Sequence, residues 1–110
     1  MLSIPSTHPD LEDFINIKKD LTKVTKANIS VMFYDDFLNA VKNNKEYELK
    51  FTVEDTGEVI SKVINAKNLF YKFAKSNWDN AEPGALYWDR IKNYNLLSED
   101  MEFEFVGVNP

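Results

Sequence analysis

Apolar and polar residues alternate along two stretches of the chain and recur at helical spacing along three others. Tyr47 to Val53 alternates cleanly, Glu54-Asp55-Thr56-Gly57-Glu58 reads as a turn, and Val59 to Ile64 alternates again. The pattern predicts a β-hairpin with a glycine-containing loop, half exposed because its second face carries Glu48, Lys50 and Lys62. Upstream, Ser6-Thr7-His8-Pro9-Asp10 is a helix-start signal. Thr7 or His8 can cap, Pro9 suits the first helical position, and Asp10, Glu12 and Asp13 favour a first turn. Leu11, Phe14, Ile15 and Leu21 then recur at helical spacing, which predicts a helix of roughly three turns ending near Asp20. A second helix opens at Asp35-Asp36, carries Phe37, Leu38, Ala40 and Val41, and stops at Asn43-Asn44. A third, capped by Asn65, runs from Ala66 to near Trp78 with Leu69, Phe70, Phe73, Ala74 and Asn77 along one face.

The remaining apolar runs read as strands. Ala27 to Phe33 is rich in β-branched and aromatic residues and alternates only in part, as a buried strand does. Glu82-Pro83-Gly84 breaks the chain before a second buried strand, Ala85-Leu86-Tyr87-Trp88, and a short helical turn at Asp89-Arg90-Ile91. Phe103 to Val108 reads as a last strand, and Met1 to Ile4 is a short apolar run at the start. The order is strand-helix-strand-helix-hairpin-helix-strand-strand, an α/β alternation without internal repeat or low-complexity linker.

Composition narrows the class. At 110 residues, 44% of them hydrophobic, the chain is one small domain or a piece of a larger one, and residues 1–110 read as a single partial domain. No apolar run approaches the roughly 20 residues of a membrane span, and the start lacks a secretory signal. A formal charge of −5 and a single arginine, Arg90, argue against a nucleic-acid partner. With no cysteine, disulfides, Cys-type zinc sites and thiol chemistry are excluded from these residues. The expectation is a soluble, cytoplasmic chain.

Candidate chemistry is sparse. A Ser-His-Asp hydrolase would need His8, the only histidine, and helix capping already explains the Thr-His-Pro-Asp string. Asp10, Glu12, Asp13 and Asp35-Asp36 sit where the helix dipole accounts for them, and Glu99, Asp100, Glu102 and Glu104 form an acidic run of the solvated kind. Gly57, Gly84 and Gly107 are isolated, so no phosphate-cradling loop exists. Trp78, Tyr87 and Trp88 can stack on a base or sugar, but their apolar company predicts core packing. A small acidic, non-catalytic domain that binds a protein partner fits this inventory too.

Four ordered strings carry a resemblance. Met1-Leu2-Ser3-Ile4-Pro5-Ser6-Thr7-His8-Pro9-Asp10-Leu11-Glu12-Asp13-Phe14-Ile15 with Lys18, then Asn28-Ile29-Ser30-Val31 with Asp36-Phe37-Leu38-x-Ala40-Val41, are the first two. Ala66 through Phe73 leading into Glu82-Pro83-Gly84-Ala85-Leu86-Tyr87-Trp88-Asp89-Arg90-Ile91 is the third, and Val106-Gly107-Val108-Asn109-Pro110 the last. In this order the chain resembles the catalytic barrel of ribonucleotide reductase large subunits, most closely the adenosylcobalamin-dependent class. The hairpin matches mainly in position and length.

The resemblance implies part of a ten-stranded α/β barrel, incomplete on its own, and a segment of a subunit that converts ribonucleotides to deoxyribonucleotides. In that family an Asn-Pro pair is followed at once by a cysteine whose thiyl form abstracts the ribose 3′-hydrogen, with a glutamate two positions on. By this likeness Asn109 is the substrate-ribose contact, and it alone of the three lies in this sequence. The resemblance further implies adenosylcobalamin in the intact enzyme but none bound by this chain alone, the rest of the reductase polypeptide as partner, and no activity for the 110 residues in isolation. An interruption before the cysteine, by an intein, a split gene or decay, is the expectation for why the sequence stops there.

Overall fold

The computed structural model describes residues 1–20, 26–97 and 99–108. Its first unit is a three-stranded parallel sheet in the order β1-β2-β5, built from β1 (Leu2–Pro5), β2 (Ile29–Phe33) and β5 (Gly84–Tyr87). Residues β2 shares with both neighbours are buried almost throughout, which is why Ile29-Ser30-Val31-Met32-Phe33 lacks clean alternation. The register sets Ile4 beside Val31 and Ala85, and Ser3 beside Ser30 and Gly84. Leu2 donates its amide to the Asn28 carbonyl just before β2 and Ser6 to that of Met32 within it, so alternation turns the backbone nitrogens of Ser3 and Pro5 to the outer edge of β1. Proline costs nothing there, because it has no amide hydrogen to leave unpaired.

Between the strands lie α1 (Leu11–Asn16), followed by a 3₁₀ turn at Ile17–Lys19, then α2 (Asp35–Lys42), the hairpin β3 (Glu46–Thr52) and β4 (Val59–Asn65), and α3 (Ala66–Asn80). After β5 comes α4 (Trp88–Asn93). Helices α1, α2 and α3 lay their apolar stripes on one side of the sheet. Leu11, Ile15, Phe37, Ala40, Leu69 and Phe73 meet Val31 and Phe33, with Ile4 at the margin and Leu49 entering from the hairpin. Phe33 is the hub, with ring centroids 5.5 Å from Phe37, 5.6 Å from Phe70 and 4.9 Å from Phe73. Ser3, Pro5, Ser30, Met32, Gly84 and Leu86 share the sheet's other face, and none of them joins that cluster. A parallel sheet ordinarily carries cover on both faces; here the main core lies on one face, while on the other Ser30 is buried and Met32, Gly84 and Leu86 are half-buried.

Several expectations hold. The hairpin, its turn and the third helix lie within two residues of the predicted bounds, and the Asn65 side chain accepts the Asn68 amide at 2.9 Å as a cap. Gly57 takes φ +68 in the turn, a left-handed conformation that suits glycine. Other expectations are corrected. The helix after Pro9 is shorter, beginning at Leu11 with no side-chain cap on its Asp10 N-cap. The His8 Nδ1 accepts the Asp10 amide at 3.1 Å instead, so His8 shapes the turn before the helix. Phe103 to Val108 forms no strand: it joins neither described sheet, and without a neighbouring strand it has no ladder to stabilise it. The barrel is not closed, and the described strands are the parallel three and the hairpin two.

Trp88 is buried, 4% exposed, and stacks on Phe105 at 5.6 Å, as core packing predicts. Trp78 is 88% exposed and Tyr87 half exposed, against expectation. The buried stripe of α3 is Ala66, Leu69, Phe73 and Ser76; Trp78, five residues past Phe73, lies about 140° round the helix from it. Ala74 is exposed for the same geometric reason.

Polar ties hold the layers. The buried Ser76 hydroxyl lies 3.0 Å from the Ile15 carbonyl oxygen and 3.1 Å from that of Glu82, either of which can accept its single proton. Lys18 donates to the Ala27 carbonyl at 2.7 Å and pairs with Glu82 at 2.9 Å. Glu12 on α1 receives Lys72 of α3 and, at 3.7 Å, Lys62 of the hairpin. The Lys72 hydrogen bond, with both lysine charges and against some desolvation, holds the Glu12 carboxyl below its ordinary range. A carboxyl lowered in the folded state contributes stability that is present above its unfolded pKa and lost as pH falls through the folded one. The stability gap between the native chain and Glu12→Gln is therefore expected in full at pH 7, should begin to shrink as pH falls toward the ordinary value of 4.5, and should be gone only below the lowered pKa of the folded state. Urea titrations at a series of pH values read this directly.

Candidate functional site

The carboxyl ends of parallel strands are where open α/β layers gather polar side chains, because helices start there and loops are free to vary. Here three segments emerge side by side: Ser6-Thr7 after β1, Tyr34-Asp35-Asp36 after β2, and Trp88-Asp89 after β5. Ser6 is fully buried and its Oγ accepts the Tyr34 amide at 3.1 Å, joining the first two segments. Asp89 Oδ2 accepts the Asp35 amide at 2.7 Å, joining the second and third and capping α2 from a distant part of the chain. The Lys50 amide donates to the Thr7 carbonyl at 2.8 Å and brings the hairpin alongside.

Thr7, Tyr34, Asp36 and Asp89 line a cleft of about 390 Å³. Tyr47 reaches over from the hairpin, its hydroxyl 3.1 Å from both Asp36 carboxylate oxygens. Burial, followed by the charge of Asp36 and its hydrogen bond, pushes the Tyr47 phenol well above the usual tyrosine value. Burial and then the charges of Asp89 and Asp36 raise Tyr34 too. Both phenols are therefore held as hydrogen-bond donors at neutral pH. A hydroxyl, a phenol and two carboxylates suit the recognition of a polar, hydroxyl-bearing group. They supply no nucleophile activated by a base. Replacing Asp89 by Ala removes the cap on α2 and is expected to cost about 1 kcal/mol, read by urea unfolding.

His8 stands apart from this cleft's lining. Its ring lies 5.0 Å from that of Phe51, and no described serine or threonine hydroxyl is hydrogen-bonded to it, so the hydrolase reading finds no assembled triad. The described residues contain no group of three or more His, Asp or Glu placed to hold a metal ion. Among the described residues, no helix is long and apolar enough to cross a membrane. Asn109 lies outside the described residues. The cleft itself is not legible in the sequence: Thr7 reads as a cap and Asp36 as a dipole partner, Asp89 stands only within a string that carries the resemblance, and Tyr34 and Tyr47 belong to no motif. Their common signal is position just past an apolar strand run, Tyr47 excepted.

Comparison with known proteins bears on what this layer belongs to. The family model described as "Ribonucleotide reductase, barrel domain" matches residues 1–102. The chain is 34% identical to the vitamin B12-dependent ribonucleotide reductases of Streptomyces avermitilis and Streptomyces coelicolor, over alignments of 133 positions that cover all of it. A vitamin B12-dependent ribonucleotide reductase of Streptomyces clavuligerus is 32% identical over the same span. The chain spans 13% of the length of each of these relatives.

Proposed function

The chain belongs to the ribonucleotide reductase barrel-domain family, and from that premise we propose that it works as one segment of a catalytic subunit that reduces ribonucleotides to deoxyribonucleotides in the cytoplasm. The structural observation that carries the reading is the one-sided layer. The main core cluster lies on the Val31 and Phe33 side of the parallel sheet, and Ser30, Met32, Gly84 and Leu86 on the other side contribute nothing to it. In a barrel the helices form the outer ring and the opposite strand face turns inward. A radius of gyration of 15.0 Å, against about 13 Å for a compact domain of this length, also suits a piece whose neighbours are elsewhere.

Within that subunit Asn109 contacts the substrate ribose, and the phenols and carboxylates at the strand ends order the loops beside it. Adenosylcobalamin, when bound to the intact enzyme, supplies the radical chemistry through contacts outside these 110 residues. The partner is the remainder of the reductase polypeptide. Hydrogen-atom chemistry at a thiol needs a sulfhydryl, and the sequence has none. The purified 110-residue chain, given ribonucleotide, reductant and adenosylcobalamin, is therefore expected to form no deoxyribonucleotide by chromatographic assay. Turnover by the chain alone would overturn the reading.

A further inference from the structure

Helix α3 turns one stripe to the core and a second, opposite one to solvent. Tyr71 and Trp78 each stand two residues past a buried position, Leu69 and Ser76, and two residues turn an α-helix by about 200°. Seven residues apart, the two rings lie within about 20° of each other on the outward face. Trp78 is 88% exposed and Tyr71 69%. Between them stand Ala74 and Lys75, both exposed, and Lys67 lies one turn before Tyr71 on the same face. Asp79 follows Trp78 and takes Lys75 at 3.3 Å, with both side chains open to water. The stripe is basic at its start, aromatic along its middle and acidic at its end. It also points directly away from the sheet, and helices in the outer ring of a barrel meet their neighbours sideways, so those neighbours leave this face uncovered.

We infer that this stripe is a contact between two copies of the chain, with the two α3 helices antiparallel about a two-fold axis near Ala74 and Lys75. It goes beyond the reading under Proposed function, and either can fail without the other. Charge complementarity selects the second copy. A two-fold axis brings the same patch to both sides, so the patch has to complement itself. Antiparallel packing sets Tyr71 against Trp78 of the second copy. It also leaves Lys67 about 4.5 Å along the axis from Asp79 of the second copy, within reach of a lysine side chain. Each contact occurs twice. A parallel arrangement would instead set Lys67 on Lys67 and Asp79 on Asp79. The small Ala74 at the crossing lets the helices approach closely. The formal charge of −5 on each copy opposes association, but beyond about 8 Å it is screened at physiological salt. Two tryptophans and two tyrosines, each burying at most roughly 150–250 Å², make a contact below the usual size of a stable interface. The dimer is therefore weak, with a Kd on the order of 100 µM, and the chain is monomeric at the micromolar concentrations of unfolding titrations.

Sedimentation velocity of the 110-residue chain from roughly 10 µM to 1 mM reads the monomer–dimer equilibrium. Over the same range the emission of the exposed Trp78 should move to shorter wavelength as the rings pair. Trp78→Ala should raise the Kd at least about tenfold. Asp79→Lys lowers the net negative charge, which by itself favours association, yet it sets lysine against lysine and should raise the Kd about fivefold. Asp55→Lys makes the same charge change at the exposed hairpin turn and should not raise it. Lys67→Asp combined with Asp79→Lys exchanges the signs of the pair and should return the Kd to within about threefold of the native value. All four positions are exposed, so the far-ultraviolet circular dichroism should stay native throughout. A chain that is monomeric to about 1 mM, where such a Kd demands dimer, would overturn the inference. So would a dimer indifferent to Trp78→Ala, or a charge exchange that fails to restore what Asp79→Lys loses.

Discussion

Phe33→Ala is expected to unfold the chain, or to lower its stability by about 3–5 kcal/mol if it remains folded. Phe33 is 1% exposed in the central strand, and its ring meets Phe37, Phe70 and Phe73, so one truncation opens a cavity against two helices at once. Whole domains are stable by only about 5–15 kcal/mol, and a one-sided layer has less burial to draw on. Trp78→Ala removes a larger ring from an 88% exposed position and should change stability by less than about 0.5 kcal/mol. Far-ultraviolet circular dichroism during urea titration separates the two. Equal losses would mean that α3 buries a different face from the one described.

The second large effect concerns Asn109. In a chimera in which these 110 residues replace the matching stretch of the Streptomyces avermitilis enzyme, Asn109→Ala should lower kcat/KM about 10- to 100-fold, the worth of one or two oriented hydrogen bonds to a ribose hydroxyl. The thermal transition of the chimera should stay in place, which separates a substrate contact from a structural one. A variant with unchanged kcat/KM would remove Asn109 from the site.

What the sequence discloses and what it hides divide along the reach of the interactions. The hairpin is legible because Tyr47 to Val53 and Val59 to Ile64 alternate on their own and the turn carries Gly57. The third helix is legible because Asn65 caps it locally. Phe103 to Val108 has the composition of a strand, but a strand also needs a neighbour, and composition does not say whether one is present. Trp78 shows the same limit for burial: Leu69, Phe70 and Phe73 do face the core as their spacing predicts, but toward the helix end the inward arc runs through Ser76, bonded toward Ile15 and Glu82, and leaves Trp78 outside. The strand-end cleft is a product of topology. Thr7, Tyr34, Asp36 and Asp89 become neighbours only when β1, β2 and β5 lie side by side. The family, by contrast, was legible in full, since ordered strings survive without any knowledge of packing.

The decisive measurement is deoxyribonucleotide formation by the native chimera, the Streptomyces avermitilis reductase with its matching stretch replaced by these 110 residues. If the chain is a working segment of the catalytic barrel, the chimera folds and reduces ribonucleotides in the presence of adenosylcobalamin, while the same enzyme with that stretch deleted does not. A chimera that folds as cooperatively as the parent enzyme yet forms no deoxyribonucleotide would contradict it.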